Sequence, residues 1–356
     1  MNHTPLSRPQ RVTEQDWPAD TTPVVSICCI TYNQKNYLTQ TIESFLMQET
    51  TFPVEILIHD DASTDGTPDI IRDYQKRYPK LIKPVLQSEN QFSKGIRRIL
   101  VTFLLPQARG EYIAFCEGDD YWTSPAKLEL QVAYLRNNPA VVLCFHDVTS
   151  VDEAGNELSN SLIAKLMGGY QPARLENLYR IGRSLIPTLS ILFRNLPVVI
   201  GPQGQWVLNG DTYLFAMLAR YGEMHNIGKT MAAYRCHASG VWTPVDAATK
   251  KNANLQTLAA IAREVDLDNC PAACCNYAEV AWDGLRNSLG RESGKHSIKF
   301  LRAYFTSLFC CFRLLRAGWR HFPSLVATQG KIVALPAHWL WDSKYNLLRR
   351  FSKSQS

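Results

Sequence analysis

The residues best equipped for chemistry stand directly behind apolar runs. "YIAFC" (112–116) ends in Glu117, Gly118, Asp119 and Asp120. Carboxylates this close repel one another, and hard oxygen ligands at this density suit Mg²⁺ or Mn²⁺, ions that keep coordination positions open for phosphate oxygens. The structural alternative is a turn before a helix, since Ser124 and Pro125 follow. After "VVSICCI" (24–30) come Thr31, Tyr32 and Asn33, and after "VEILI" (54–58) come His59, Asp60 and Asp61. A phenol ring and a carboxylate on one rim could stack an aromatic base and accept a hydrogen bond from its ring N–H, which suits a uracil-like base. Each cluster taken alone also reads as strand-end turn residues. Asp211 precedes the amphipathic stretch "TYLFAMLARY" (212–221), so it could cap that helix, take a proton from a hydroxyl, or do both. His237, in "YRCH", is either a structural histidine or a third ligand of a metal or diphosphate.

The elements that must position these residues alternate at parallel-sheet spacing. "VVSICCI" reads as a buried strand and "NYLTQTIESFLMQ" (36–48) as a helix with Leu38, Ile42, Phe45 and Leu46 on one side. "VEILIHDD" is the next strand. In "STDGTPDIIRDYQKRY" Thr67 is the expected N-cap, with Pro68 at the first helical position and Asp69 in the first turn. A third unit runs from "IKPVL" through a helix near 94–105 to "EYIAFC", and a fourth from the helix after "TSPAK" to "VVLCF" (141–145). Later come a strand "TLSILF" (188–193), the helix 212–221, a strand through "TMAAYRC", and helix beyond about 250. The fold class expected is α/β, a mostly parallel Rossmann-like sheet flanked by helices, with a helical C-terminal extension. The expected boundaries are a loose lead-in at 1–22, a core unit at 23–245 and a basic extension at 246–356. In such sheets ligands bind beyond the carboxyl ends of the strands, where the polar clusters stand.

Composition agrees with a globular protein: 356 residues, 46% hydrophobic and 20% charged, with a net charge of +6. The charge is uneven. Residues 295–356 hold 11 Lys and Arg against the single acid Asp342, leaving 27 basic against 31 acidic residues elsewhere. Ten cysteines, several in adjacent pairs inside apolar runs, point to a reducing compartment. "CPAACC" (270–275) has no Cys/His pair at zinc-finger distance, so no zinc is expected. The first 23 residues are polar with four prolines, unlike a secretory leader, and no apolar run approaches the roughly 18 residues that span a bilayer. The expected location is the cytoplasm, and no nucleic-acid partner is expected. Over 298–320, Leu301, Phe305, Leu308, Phe312, Leu315 and Trp319 recur on one helical face, beside Arg302, Arg313, Arg316 and Arg320. Such a helix suits the anionic inner face of the cytoplasmic membrane, or else packs on the core unit.

The runs "VVSICCITYNQKNYLTQTIESFLMQ", "VEILIHDDASTDGTPDII", "RGEYIAFCEGDDYWTSPAKLELQ", "GDTYLFAMLARYG" and "YRCH", in this order, resemble family 2 of the inverting, nucleotide-sugar-dependent glycosyltransferases with the A-type fold, over about residues 23–242. The resemblance implies that Tyr32 stacks on uracil, that Thr31, with Asn33 beside it, lines the nucleotide pocket, and that Asp60 contacts the uracil ring with Asp61 next to it. It implies that Asp119 and Asp120 hold Mn²⁺ or Mg²⁺ against the donor diphosphate, with His237 nearby, and that Asp211 is the catalytic base. It further implies a UDP-sugar donor, a saccharide or lipid-linked acceptor, and a place in surface polysaccharide or lipopolysaccharide assembly. Two departures stand out. Glu117-Gly118-Asp119-Asp120 replaces the frequent Asp-Ala-Asp-Asp, leaving open whether Glu117 meets metal or ribose. "SENQFSKGIRRIL" replaces a glycine and Arg-Asn stretch, so a diphosphate contact by Lys94 or Arg98 competes with solvated helix charges. Acceptor contacts are expected within 150–210. A pyrophosphorylase would want a glycine-rich loop that "CITYNQKNY" lacks. A non-catalytic saccharide- or nucleotide-binding module is the other alternative.

Overall fold

The computed structural model describes residues 3–159, 186–197, 207–238, 240 and 246–264. In chain order the strands are β1 (Gln10–Arg11), β2 (Val25–Thr31), β3 (Glu49–Thr50), β4 (Val54–Asp60), β5 (Ile82–Leu86), β6 (Tyr112–Glu117), β7 (Tyr121–Trp122), β8 (Val141–Val151), β9 (Glu157–Ser159), β10 (Leu192–Arg194) and β11 (Glu223–Arg235). The helices are α1 (Lys35–Leu46), α2 (Thr67–Arg77), α3 (Lys127–Asn137), α4 (Gly210–Leu218) and α5 (Ala247–Glu264).

Because "VSICCIT" and "VEILIHD" are apolar almost throughout, β2 and β4 bury both faces, as interior strands of a parallel sheet must. They form the centre of the order β5-β4-β2-β6, all parallel. The other half is mixed: β10 enters antiparallel between β6 and β8, β11 pairs in parallel with β8, and β7 and β9 add antiparallel edges. An antiparallel partner needs no helical crossover, so periodicity in the sequence carries no sign of it. The expected strand 188–193 is a short 3₁₀ turn, Thr188–Ser190, followed by β10.

The apolar face of α1 is the expected one, with Leu38, Ile42, Phe45 and Leu46 buried and Phe45 against Trp122 at 4.7 Å between ring centroids. At α2 the cap lies earlier than expected. Gly66, with φ of 93°, lets Asp65 fold back so that its Oδ1 accepts both the N–H (3.0 Å) and the hydroxyl (2.6 Å) of Thr67, which is already helical. The helix expected near 94–105 shrinks to a π-type turn at Leu100–Leu104 and a 3₁₀ turn at Leu105–Gln107, where Pro106 lacks the N–H a longer helix would use.

The lead-in is docked rather than loose. β1 pairs with β3, Val12 is buried, and the Gln15 amide donates to the carbonyls of Gln10 (2.9 Å) and Thr50 (2.8 Å). One valine and a two-residue ladder leave no periodic signature to read. At the other end α5, expected to open the extension, packs on α4, burying Ala253, Thr257, Ala260 and Ile261 and joining Asn254 to Asn209. The segments 270–275 and 298–320 lie outside the described residues. No described helix is long and apolar enough to cross a membrane.

A lysine sits inside the core. Lys127 is fully buried, with its Nζ 4.1 Å from the Trp122 ring centroid and donating to Gln131 Oε1 at 2.7 Å. Burial pulls its ammonium down from 10.5 to about 7. The unfolded chain keeps that proton up to 10.5 while the folded chain releases it above about 7, so this group makes stability rise with pH across that window. The buried thiols of Cys28, Cys29, Cys116 and Cys144, pushed upward by burial, act in the opposite sense above about 9. Lys127→Met should therefore raise the melting temperature near neutral pH, by an excess over wild type that narrows as pH climbs from about 6 to about 8.5. An excess that does not vary with pH would show that Lys127 does not titrate this way.

Candidate functional site

Parallel register puts the expected residues on one rim: Thr31 lies opposite Asp60, and Ile30 opposite Glu117. Beyond the strands the backbone turns at Asn33 (φ 52°) and Ala62 (φ 61°), two non-glycine residues in the left-handed region. Hydrogen bonds hold this conformation. Asn33 N–H donates to Ser63 Oγ (2.8 Å), Thr64 N–H donates to Asn33 Oδ1 (2.8 Å), and Ser63 donates to Asp60 through its N–H (3.0 Å) and hydroxyl (2.5 Å). Tyr32, just before the first of these turns, is 48% exposed and so open to stacking, while Asp60 is buried. Burial raises the Asp60 carboxyl above its usual range, against the Ser63 hydrogen bonds.

Asp61 faces elsewhere. Its two oxygens accept the amide N–H groups of Gln91 (2.8 Å) and Phe92 (3.0 Å), bracing the loop after β5. Lys94, on that loop, is an exposed ion-pair partner of Glu89.

The acidic turn packs against the start of α1. A Cβ on Gly118 would fall 2.5 Å from Gln34 Oε1 and 2.9 Å from Thr31 Oγ1, so only glycine fits there. Thr31 Oγ1, Gln34 Oε1 and Glu117 Oε2 are buried without a hydrogen-bond partner, which marks where polar groups of a ligand would be met. Glu117 Oε1 accepts the Thr188 hydroxyl at 2.6 Å. Burial, helped by the charges of Asp119 and Asp211 and opposed by Thr188, pushes the Glu117 carboxyl up to about 8. Asp120 is buried, its Oδ1 accepting the Arg235 N–H at 2.8 Å, and burial together with Asp119 and Glu117 raises it well above the carboxylate range. Asp119 is more open; its Oδ2 lies 3.0 Å from Nε2 of the buried His237, whose ring is 4.9 Å from that of Tyr37.

These residues can be tested against an ion. Among the described residues no three His, Cys, Asp or Glu side chains gather closely enough to enclose one. Asp119 and His237 offer one oxygen and one nitrogen side by side, in a basin of carboxyls whose mutual repulsion a cation would relieve. A divalent ion fits here if diphosphate oxygens and water complete its shell, which is how Mg²⁺ and Mn²⁺ are commonly held. Asp120, bound to the Arg235 backbone, stands behind that pair as a brace.

Asp211 lies in the first turn of α4, which Asn209 precedes without a side-chain cap bond. Burial raises its carboxyl, Arg98 opposes the rise, and its charge reaches Glu117, so it belongs to the same basin. Arg98 is buried, with its guanidinium 4.6 Å from the Tyr213 ring centroid, and so is not a solvated helix charge.

Three participants have no signal in the sequence. Gln34 and Thr188 reach the turn from a helix start and from the antiparallel half of the sheet. Arg235 clamps the turn, donating to the carbonyls of Asp119 (Nε, 3.0 Å) and Glu153 (Nη1, 2.9 Å) and to Gln40 Oε1 (Nη2, 2.6 Å), with Tyr37 and Tyr121 rings 5.0 and 5.4 Å from its guanidinium. An arginine at a strand end reads as surface unless its partners are known.

The architecture that carries these residues is a mixed α/β sheet with an acidic turn at its carboxyl rim. Residues 26–196 match the family described as Glycosyl transferase family 2, so this stretch of the chain is similar to that family's domain. Among curated relatives, "Uncharacterized protein Rv1520" of Mycobacterium tuberculosis is 40% identical over 218 residues, 61% of this chain and 60% of the relative, so the match spans less than two thirds of that relative's length. TuaG of Bacillus subtilis, named provisionally as a teichuronic acid biosynthesis glycosyltransferase, is 36% identical over 113 residues, 32% of this chain and 42% of TuaG. The solved structure of S. aureus TarS 1-349 in complex with UDP is similar at a TM-score of 0.49 and 16% identity, over 82% of this chain and 89% of that one. That likeness is too distant to carry an argument.

Asp61→Ala removes the acceptor of two loop amides. Hydrogen exchange at Gln91 and Phe92 should then speed up by about tenfold or more, the scale of one lost charge-assisted bond, with the sheet unaffected. Unchanged exchange would remove Asp61 from this bracing role.

Proposed function

We propose that this chain transfers a sugar from a nucleotide-sugar donor, UDP-linked, to a hydroxyl of a saccharide or lipid-linked saccharide, with inversion at the anomeric carbon, in the assembly of a cell-surface polysaccharide. One observation carries the reading. In a chain with a stretch similar to the family 2 domain, an exposed aromatic with a buried carboxylate (Tyr32 and Asp60) and an acidic basin (Glu117, Asp119 and Asp211, with His237) occupy a single rim. The name of TuaG supports the polysaccharide setting.

In this reading Tyr32 stacks on the base, Asp60 accepts its ring N–H, and Thr31, Asn33 and Glu117 line the nucleoside side. Asp119 and His237 hold a divalent ion, and Asp120 fixes the turn behind them. Bound Mg²⁺ or Mn²⁺ would neutralise the departing diphosphate. Asp211 takes the proton of the acceptor hydroxyl as its oxygen bonds to the anomeric carbon. The bond from that carbon to the diphosphate oxygen breaks on the opposite face, and its electron pair leaves with the nucleoside diphosphate. The upward shift of the Asp211 carboxyl by burial makes it a stronger base than an exposed aspartate. The catalytic unit proposed is 23–245, with α5 as its brace.

Asp211→Asn should lower turnover by about 10²- to 10⁴-fold while the thermal shift given by UDP with Mn²⁺ persists. Unchanged turnover would take the base role from Asp211, and a product with retained configuration by NMR would overturn the mechanism. Asp119→Asn and His237→Ala should each reduce the Mn²⁺-dependent part of the UDP shift; a shift identical with and without Mn²⁺ in wild type would remove the ion.

A further inference from the structure

We propose that Arg98 is a positioning residue, holding the first turn of α4, and with it Asp211, over the acidic rim, rather than a ligand of the donor diphosphate. The inference rests on the reading of Asp211 as the base and adds the residue that fixes its place.

Arg98 is only 6% exposed, and three elements enclose it. It stands two residues before the π-type turn Leu100–Leu104, its carbonyl accepting the Thr102 N–H at 2.8 Å. Its guanidinium lies 4.6 Å from the ring centroid of the fully buried Tyr213, two residues past Asp211. Its Nη1 lies 2.7 Å from where a Cβ on Gly210 would stand. Gly210 opens α4 without a left-handed φ, so its lack of a side chain answers to space and not to backbone conformation. A buried guanidinium is costly unless opposite charge is close, and the charges acting on Arg98 are Asp211 on α4 and Glu264 at the end of α5, with the Tyr213 phenol beside them. Burial draws Arg98 down to about 10, still charged at neutral pH, and its charge opposes the upward shift of Asp211. Asn254 of α5 bonds to Asn209, the residue before Gly210. The turn that carries Asp211 is thus held by both Arg98 and α5. A guanidinium pressed against Gly210 and Tyr213 has little surface left for a diphosphate.

The test uses the full chain with Arg98→Met, Arg98→Lys, Gly210→Ala and the Arg98→Met/Gly210→Ala pair, measuring kcat with donor and acceptor and the Kd of UDP by calorimetry. Arg98→Met should lower kcat by about tenfold or more with the UDP Kd changed by less than about threefold, and Arg98→Lys should recover part of the loss. Gly210→Ala adds a methyl that displaces the tip of Arg98, so it should lower kcat in wild type, without loss of melting temperature because Ala is the better helix former, and should add nothing in the Arg98→Met background. A UDP Kd weakened by about tenfold or more with kcat retained would make Arg98 a diphosphate ligand and overturn the proposal. So would a Gly210→Ala loss of equal size in both backgrounds. Should Arg98→Met not fold, Gly210→Ala and Arg98→Lys carry the test alone, and unchanged kcat in both overturns it. Failure of the base reading looks different: Asp211→Asn would then leave turnover intact.

Discussion

Everything at the rim follows from the mutual repulsion of carboxylates in a place with little water. Glu117, Asp119, Asp120 and Asp211 act on one another at the carboxyl ends of buried strands, and burial pushes three of them upward. Such a cluster is expensive in a folded chain, and it persists because the surrounding structure holds the backbone that carries it. Arg235 ties the carbonyl of Asp119 and the carboxylate of Asp120, through side chain and main chain respectively. Thr41 places its hydroxyl 2.9 and 2.7 Å from the carbonyls of Gly118 and Asp120, and Gly118 fits where no side chain could. The turn is therefore fixed by neutral or cationic partners, and the carboxyl groups keep an electrostatic demand that a cationic ligand complex can meet.

The two halves of the sheet divide the labour. The parallel half aligns Thr31, Asp60 and Glu117 by register alone, because parallel neighbours end on the same side. The mixed half brings what register cannot. β10, running against β6, delivers Thr188 to Glu117, and the long β11 ends in Arg235 and leads to His237. The loop after β5 is held by Asp61 on one side of the rim, and α4 is held by α5 on the other.

Much of this was legible in the sequence, for a reason that differs from one residue to the next. The strands before Thr31, Asp60 and Glu117 are continuous apolar runs, a strong local signal, and polar residues at their ends follow from where such strands stop. Asp211 and His237 were singled out through motif order. Asp61 was grouped with Asp60 because adjacent aspartates look alike in sequence, while in the structure their side chains take different partners. Arg98 looked like a surface charge because nothing local shows that Tyr213 and Gly210 will close over it. The docked lead-in escaped because Val12 has no apolar partner at a regular spacing.

What the sequence by itself determined is the set of local elements and the chemistry at their ends: alternating strands and helices, the acidic turn, and the motif order that matches a family model over residues 26–196. Those follow from interactions within a few residues, where hydrophobic period and turn chemistry dominate. What only the tertiary structure decided is which of the acids stand open and which are braced, that Arg235 and Thr188 complete the turn, and that Arg98 is buried against Tyr213 and Gly210. These depend on contacts between residues far apart in the chain, whose energies come from burial and from charges brought together by packing. No local pattern records them.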